Sequence, residues 1–173
     1  MLERSKNRTK TASLLFAAVL LGGHTFTATA SGTLTVAKKA PYEKGIHVPE
    51  AVRAECGLEQ KIPEHVRDAA SKKFDKVNLA DHVSAGTPGK GLSLTITSVL
   101  APGGGPFSGP KSVAVHGVLW EHGKQIGSFT ARRNTTHGAG TCNMLDRDAK
   151  EMASDIARWL ESPGKDDRLG DAK

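Results

Sequence analysis

The sequence predicts an α+β fold: a single antiparallel sheet of three to four strands with two helices packed on one face. Three observations carry this. Val113, Val115, Gly117 and Leu119 alternate with Ala114, His116, Val118 and Trp120, the period of two expected of a strand. After Glu121-His122-Gly123-Lys124, a second run from Gln125 to Arg133 returns with Ile126 and Phe129, so the two runs read as a hairpin. From Ala149 the spacing changes, and Ala149, Met152, Ala153, Ile156, Ala157 and Leu160 line one side of a helix. A hairpin followed by such a helix has to bury the helix stripe on the sheet.

The N-terminus comes first in chain order. Arg4, Lys6, Arg8 and Lys10 precede an apolar run from Ala12 to Leu21, and Ala28-Thr29-Ala30 supplies small residues for cleavage. Residues 1–30 therefore read as a secretory signal peptide, too short in its apolar part for the ~20 residues of a membrane span. An uncleaved interfacial anchor is the competing reading. Removing residues 1–30 leaves 20 Lys+Arg against 17 Asp+Glu, a formal +3 instead of the +6 of the whole chain. So small an excess, spread along the chain, points away from nucleic acid. No other segment is apolar enough to cross a membrane, so stable insertion after cleavage is not expected.

Residues 31–54 read as an extended N-terminal segment, with a short edge strand at Thr33–Val36 and alternation at Ile46 and Val48. The domain proper is expected over 55–162. Ile62, Val66, Ala69, Ala70 and Phe74 keep helical spacing, with Pro63 suited to a first helical position. Val77 and Leu79 then lead into a polar connection. Leu92, Leu94 and Ile96 alternate with Ser93, Thr95 and Thr97 in a strand that runs on to Leu100. Ala101–Pro110 holds four glycines and three prolines, which makes it a loop costly to order. Asn143 is the expected N-cap of the last helix. Residues 163–173 are charged, lack an apolar period and read as a disordered tail.

Chemistry is sparse. The two cysteines, Cys56 and Cys142, form an even count in an exported chain and point to one disulfide; a buried thiol pair or intermolecular bridges are the alternatives. Gly104–Ser112 approaches a phosphate loop, but Pro106 and Pro110 remove backbone donors, and the segment joins two strands instead of leading into a helix. His82, His116, His122 and His137 show no His-x-x-x-His spacing, and no Cys-x-x-Cys accompanies them, so no metal or other cofactor is expected. Ser128 lacks the glycine pattern of a nucleophile elbow. The best surface candidates are Trp120 and His116 with Arg132 and Arg133, because Trp and Arg dominate binding energy at interfaces. Trp120 shares parity with His116 and Val118, not with Val113, Val115 and Leu119; Trp120 packed under a helix is the competing arrangement.

The run Val115–Phe129 with its Gly-Lys-x-Ile-Gly-Ser-Phe return, and the helix motif Ala149–Leu160, resemble small bacterial cell-envelope proteins, including auxiliary lipoproteins of ABC-type transport systems and uncharacterised exported relatives. The lipid-acceptor cysteine of such lipoproteins is missing here. The reading is thus a periplasmic or secreted, non-catalytic domain that binds another cell-envelope protein. The alternative is a secreted hydrolase or metal-dependent enzyme using the hairpin histidines or Cys142.

Overall fold

The computed structural model describes residues 32–102 and 109–173. The expected signal peptide and the centre of the Ala101–Pro110 loop lie outside the described residues. The elements, in chain order, are β1 (Thr33–Ala37), α1 (Glu50–Glu55), α2 (Leu58–Ala70), β2 (Lys76–Ala80), β3 (Lys90–Leu100), β4 (Lys111–Glu121), β5 (Lys124–Thr135), α3 (Thr141–Trp159) and β6 (Asp167–Gly170). Among these residues six strands make one sheet in the order β2-β1-β3-β4-β5-β6.

The α+β class stands, but the expected three to four antiparallel strands become six in a mixed sheet, and two helices become three. β3, β4 and β5 form the antiparallel centre, whereas β1 pairs in parallel with both β2 and β3, and β6 in parallel with β5. Besides β1, expected as a short strand at Thr33–Val36, the added strands β2 and β6 have only five and four residues. So short a segment shows no usable period, and it becomes a strand only through remote partners. β1 is accordingly interior to the sheet, not an edge. The segment over 31–54 also contains the start of α1, which runs across the expected boundary at 54/55.

The expectation of a disordered tail over 163–173 is likewise corrected. Its three aspartates are engaged by other elements: Asp166 exchanges hydrogen bonds with the Ser128 hydroxyl, and Asp167 accepts from the Trp159 indole at 2.8 Å. Asp171 accepts from the backbone and side-chain nitrogens of Asn134. Composition signalled a solvated tail because the partners of these carboxylates lie in other elements.

The hairpin is tighter than expected. His122 (φ 48°) and Gly123 (φ 80°) are the two central residues of the turn, both in the left-handed region that a type I′ connection requires. A bulge leaves Ile126 without a register partner, since Leu119 faces Gly127 and Trp120 faces Gln125. β4 itself stays regular, so Val113, Val115, Gly117 and Leu119 share one face and Ala114, His116, Val118 and Trp120 the other.

α2 and α3 both pack on the first of these faces, burying Ile62, Val66, Ala70, Ala149, Met152, Ile156 and Leu160 against Leu92, Ile96, Val115 and Phe129. The close approach depends on Gly117, where any Cβ would run into the Phe129 ring. Phe129 in turn meets Trp159 edge to face, with ring centroids 4.7 Å apart. Pro63 is the sixth residue of α2 instead of its first. Its missing N–H would leave the Glu59 carbonyl unpaired, and the Ala40 N–H supplies the donor at 2.8 Å. α3 starts before Asn143, with Gly140 at the N-cap, so Asn143 is not the cap.

Cys56 and Cys142 are disulfide-bonded, with Cα atoms 4.9 Å apart and 86 positions between them in sequence. The bond ties the α1–α2 junction to the first turn of α3. Further along, His65 meets Asp146 and Lys73 meets Glu161, so α2 and α3 run side by side in the same direction.

Candidate functional site

With the helices on one side, the other side of the sheet is left to small and polar residues. Ser93 and Thr95 on β3, Ser112, Ala114, His116, Val118 and Trp120 on β4, and Ser128, Thr130, Arg132 and Asn134 on β5 face away from the core. His116 and Trp120 are partly exposed and Arg132 is exposed. Trp120 is therefore not packed under a helix. The buried tryptophan is Trp159, on α3.

The structure separates the four candidates. His116 faces Thr130, and Arg132 lies two residues further along β5, so His116 and Arg132 are near neighbours on the open face. Trp120 faces Gln125, whereas Arg132 faces Ala114; six residues of β4 at ~3.3 Å each put the tryptophan about 20 Å from that arginine. Arg133 points to the helix side. Its guanidinium donates to Asp155 of α3 at 2.6 and 2.8 Å and lies 3.7 Å from Asp171. Burial lowers the Arg133 pKa, but the hydrogen bond and charge of Asp155, helped by Asp171 and Glu151, outweigh it and hold the group above its ordinary value. Arg133 is a tie between sheet and helix, spent inside the protein.

Sequence reading missed two residues of this face. Arg168 on β6 sits in register with Thr130 and is exposed, but it lay in a segment read as tail. Leu100, 45% exposed at the end of β3, is paired with Ser112 after a bulge that shifts the register between Ile96 and Ser98. The one signal for Arg168 was Leu169 beside it, a lone apolar residue in a charged stretch.

Other chemistry resolves into structure. Lys111, the lysine of the near-phosphate-loop, is fully buried and donates to the carbonyls of Pro102 at 3.0 Å and Gly109 at 3.1 Å, joining the two stems of the Ala101–Pro110 loop. Cys142 has no thiol to offer, being bridged to Cys56. Ser128 has its hydroxyl engaged by Asp166. Among the described residues no group of three or more His, Cys, Asp or Glu side chains is placed to hold a metal ion. A cavity of about 410 Å³ lies beside the disulfide, lined by Pro49, Val52, Cys56, Ala101, Cys142 and Asn143. On α3, Asp148 is fully buried; one carboxylate oxygen accepts from Thr135 at 2.5 Å and the other has no partner among the described residues. Burial, above all, raises its pKa, and Glu151 and Asp171 add to the rise against the opposing Thr135 hydrogen bond and Arg147.

No family model matches the chain, and no curated protein matches it. Solved structures do. The PelC dodecamer from Paraburkholderia phytofirmans shares 14% identity over 70% of this chain and 86% of that one, at a TM-score of 0.48. A DUF330 protein from Xanthomonas campestris shares 12% over 76% and 85%, at 0.49. A minor lipoprotein from Acinetobacter baumannii shares 9% over 72% and 94%, at 0.40.

Proposed function

We propose that this chain is an exported, non-catalytic accessory protein of a cell envelope, periplasmic or secreted, that works by binding another envelope protein on the open face of its sheet. The observation that carries the reading is the one-sided packing: α2 and α3 cover one face, while His116, Val118 and Trp120 stand on the other without a covering element among the described residues. A rigid sheet carrying a partly exposed aromatic residue is a suitable binding platform. The Cys56–Cys142 bridge supports an oxidising destination, and residues 1–30 would supply the route as a signal peptide removed after Ala30. No helix among the described residues is long and apolar enough to cross a membrane.

Photo-crosslinking in the native compartment tests this. A crosslinker at position 116 or 120 should yield a discrete protein adduct, and one at Arg158, on the solvent side of α3, should not. Adducts only from position 158, or none from the sheet face, would defeat the reading.

A further inference from the structure

The open face carries a one-sided charge. Thr95, His116, Thr130 and Arg168 stand in one row across β3, β4, β5 and β6, three strand spacings or about 14 Å in all. Arg132 follows Thr130 by two residues, which sets it diagonally beside Arg168 with backbones about 8 Å apart. The strand residues of this face include no carboxylate. The two acids at its margin are already engaged, Asp166 by Ser128 and Asp171 by Asn134 and Arg133.

The two arginines have weak internal contacts. Among the described residues Arg132 reaches only the Ser112 hydroxyl, at 3.5 Å, and Arg168 donates to the Ala172 carbonyl at 3.3 Å. Neither forms an ion pair among the described residues. Arg133, one position from Arg132 but on the helix side, shows the contrast: it is bound to Asp155 at 2.6 Å. Guanidinium groups left in this state have their planar donor forks available for carboxylates.

We propose that Arg132 and Arg168 form the anion-recognising end of the open face, and that they take carboxylates from an extended, acidic segment of a protein partner. This rests on the open face being the binding surface. The geometry favours a protein segment lying along β4, because about six extended residues cover the ~20 Å between the arginine pair and Trp120. Such a segment presents side chains of one kind at alternate positions, acidic toward the arginines and apolar toward Val118 and Trp120. Two cations are too few for an anionic membrane surface or a nucleic acid, which call for larger basic clusters.

Titration of the full chain with three probes tests the proposal: a synthetic peptide of alternating Glu and Val, a polygalacturonate oligomer, and phosphatidylglycerol vesicles. Trp120 fluorescence serves as reporter, since Trp159 is buried. The peptide should bind, and Arg132→Gln with Arg168→Gln should weaken it by about tenfold at low salt, with unchanged circular dichroism. Peptide binding that ignores the double substitution overturns the proposal, as does binding of none of the probes. Binding of polygalacturonate or vesicles in the peptide's place overturns the partner class. If the double variant still gives the full crosslinked adduct from position 116, the arginine pair is irrelevant while the open face still binds. Loss of every adduct in the unmodified chain would instead remove the broader reading.

Discussion

The two faces of the sheet use the same kinds of residue to opposite ends, and Arg132 and Arg133 show it within one dipeptide. Arg133 points to the helices, where low exposure makes a lone charge costly, and Asp155 of α3 meets it. Arg132 points away and is left almost without partners. On the covered side Phe129 fills the space above Gly117 and meets Trp159, so shape is specified closely. On the open side the strands carry mostly small and polar residues besides Arg132 and Arg168, with His116 and Trp120 as the only large rings among the described strand residues. Chemistry that holds the fold sits on one side, and groups free to meet another molecule sit on the other.

The largest effect that tests this division comes from the disulfide, which pins the helix layer. Closing a loop over 86 positions stabilises by roughly 4–5 kcal/mol in the chain-entropy model. Cys56→Ala and Cys142→Ala should each lower the melting temperature by a similar, large amount, and the double substitution should add little. Unequal single effects would show that one cysteine acts through packing beside the cavity instead.

Next in size is the arginine pair. Arg133→Ala removes the close partner of Asp155, which is 8% exposed and keeps only Arg158 at 3.7 Å among the described residues, and should cost about 2–3 kcal/mol in denaturant unfolding. Arg132→Ala should stay within about 0.5 kcal/mol. Equal costs would erase the distinction between the faces.

The smallest effect is a pH dependence confined to the covered side. Burial pushes the Asp146 carboxyl up, but the hydrogen bonds and charges of His65 and Lys150 outweigh it and hold the pKa below the ordinary carboxylate value. Its stabilisation is therefore present above the unfolded carboxylate pKa and lost as pH falls through the folded one. Asp148 has the opposite sign. Its raised pKa means the folded protein holds that proton more tightly than the unfolded chain, so stability falls as pH rises through the folded value. Asp148→Asn should thus gain stability relative to the parent on going from pH 3.5 to pH 7, by on the order of 1 kcal/mol in thermal unfolding. A difference independent of pH would mean that Asp148 stays in one protonation state across that range.

The period of the side chains determined a good part of this protein. Alternation placed β3, β4 and β5, and the spacing of Ala149 to Leu160 placed most of α3, because each pattern is local and long enough to repeat. Parity alone also put His116, Val118 and Trp120 together on one side. The cysteine count and the signal-like N-terminus led to the Cys56–Cys142 bond. Only the tertiary structure decided which side is covered, since a strand's alternation separates its two faces without saying where the helices lie. It alone made strands of Lys76–Ala80 and Asp167–Gly170, whose five and four residues are extended because distant strands supply their hydrogen bonds, and it moved Thr33–Ala37 from the expected edge to the interior of the sheet. It also ordered the charged C-terminal segment, where Asp166, Asp167 and Asp171 find Ser128, Trp159 and Asn134, and so brought Arg168 onto the open face. Such contacts join residues far apart in the chain, and no local pattern records them.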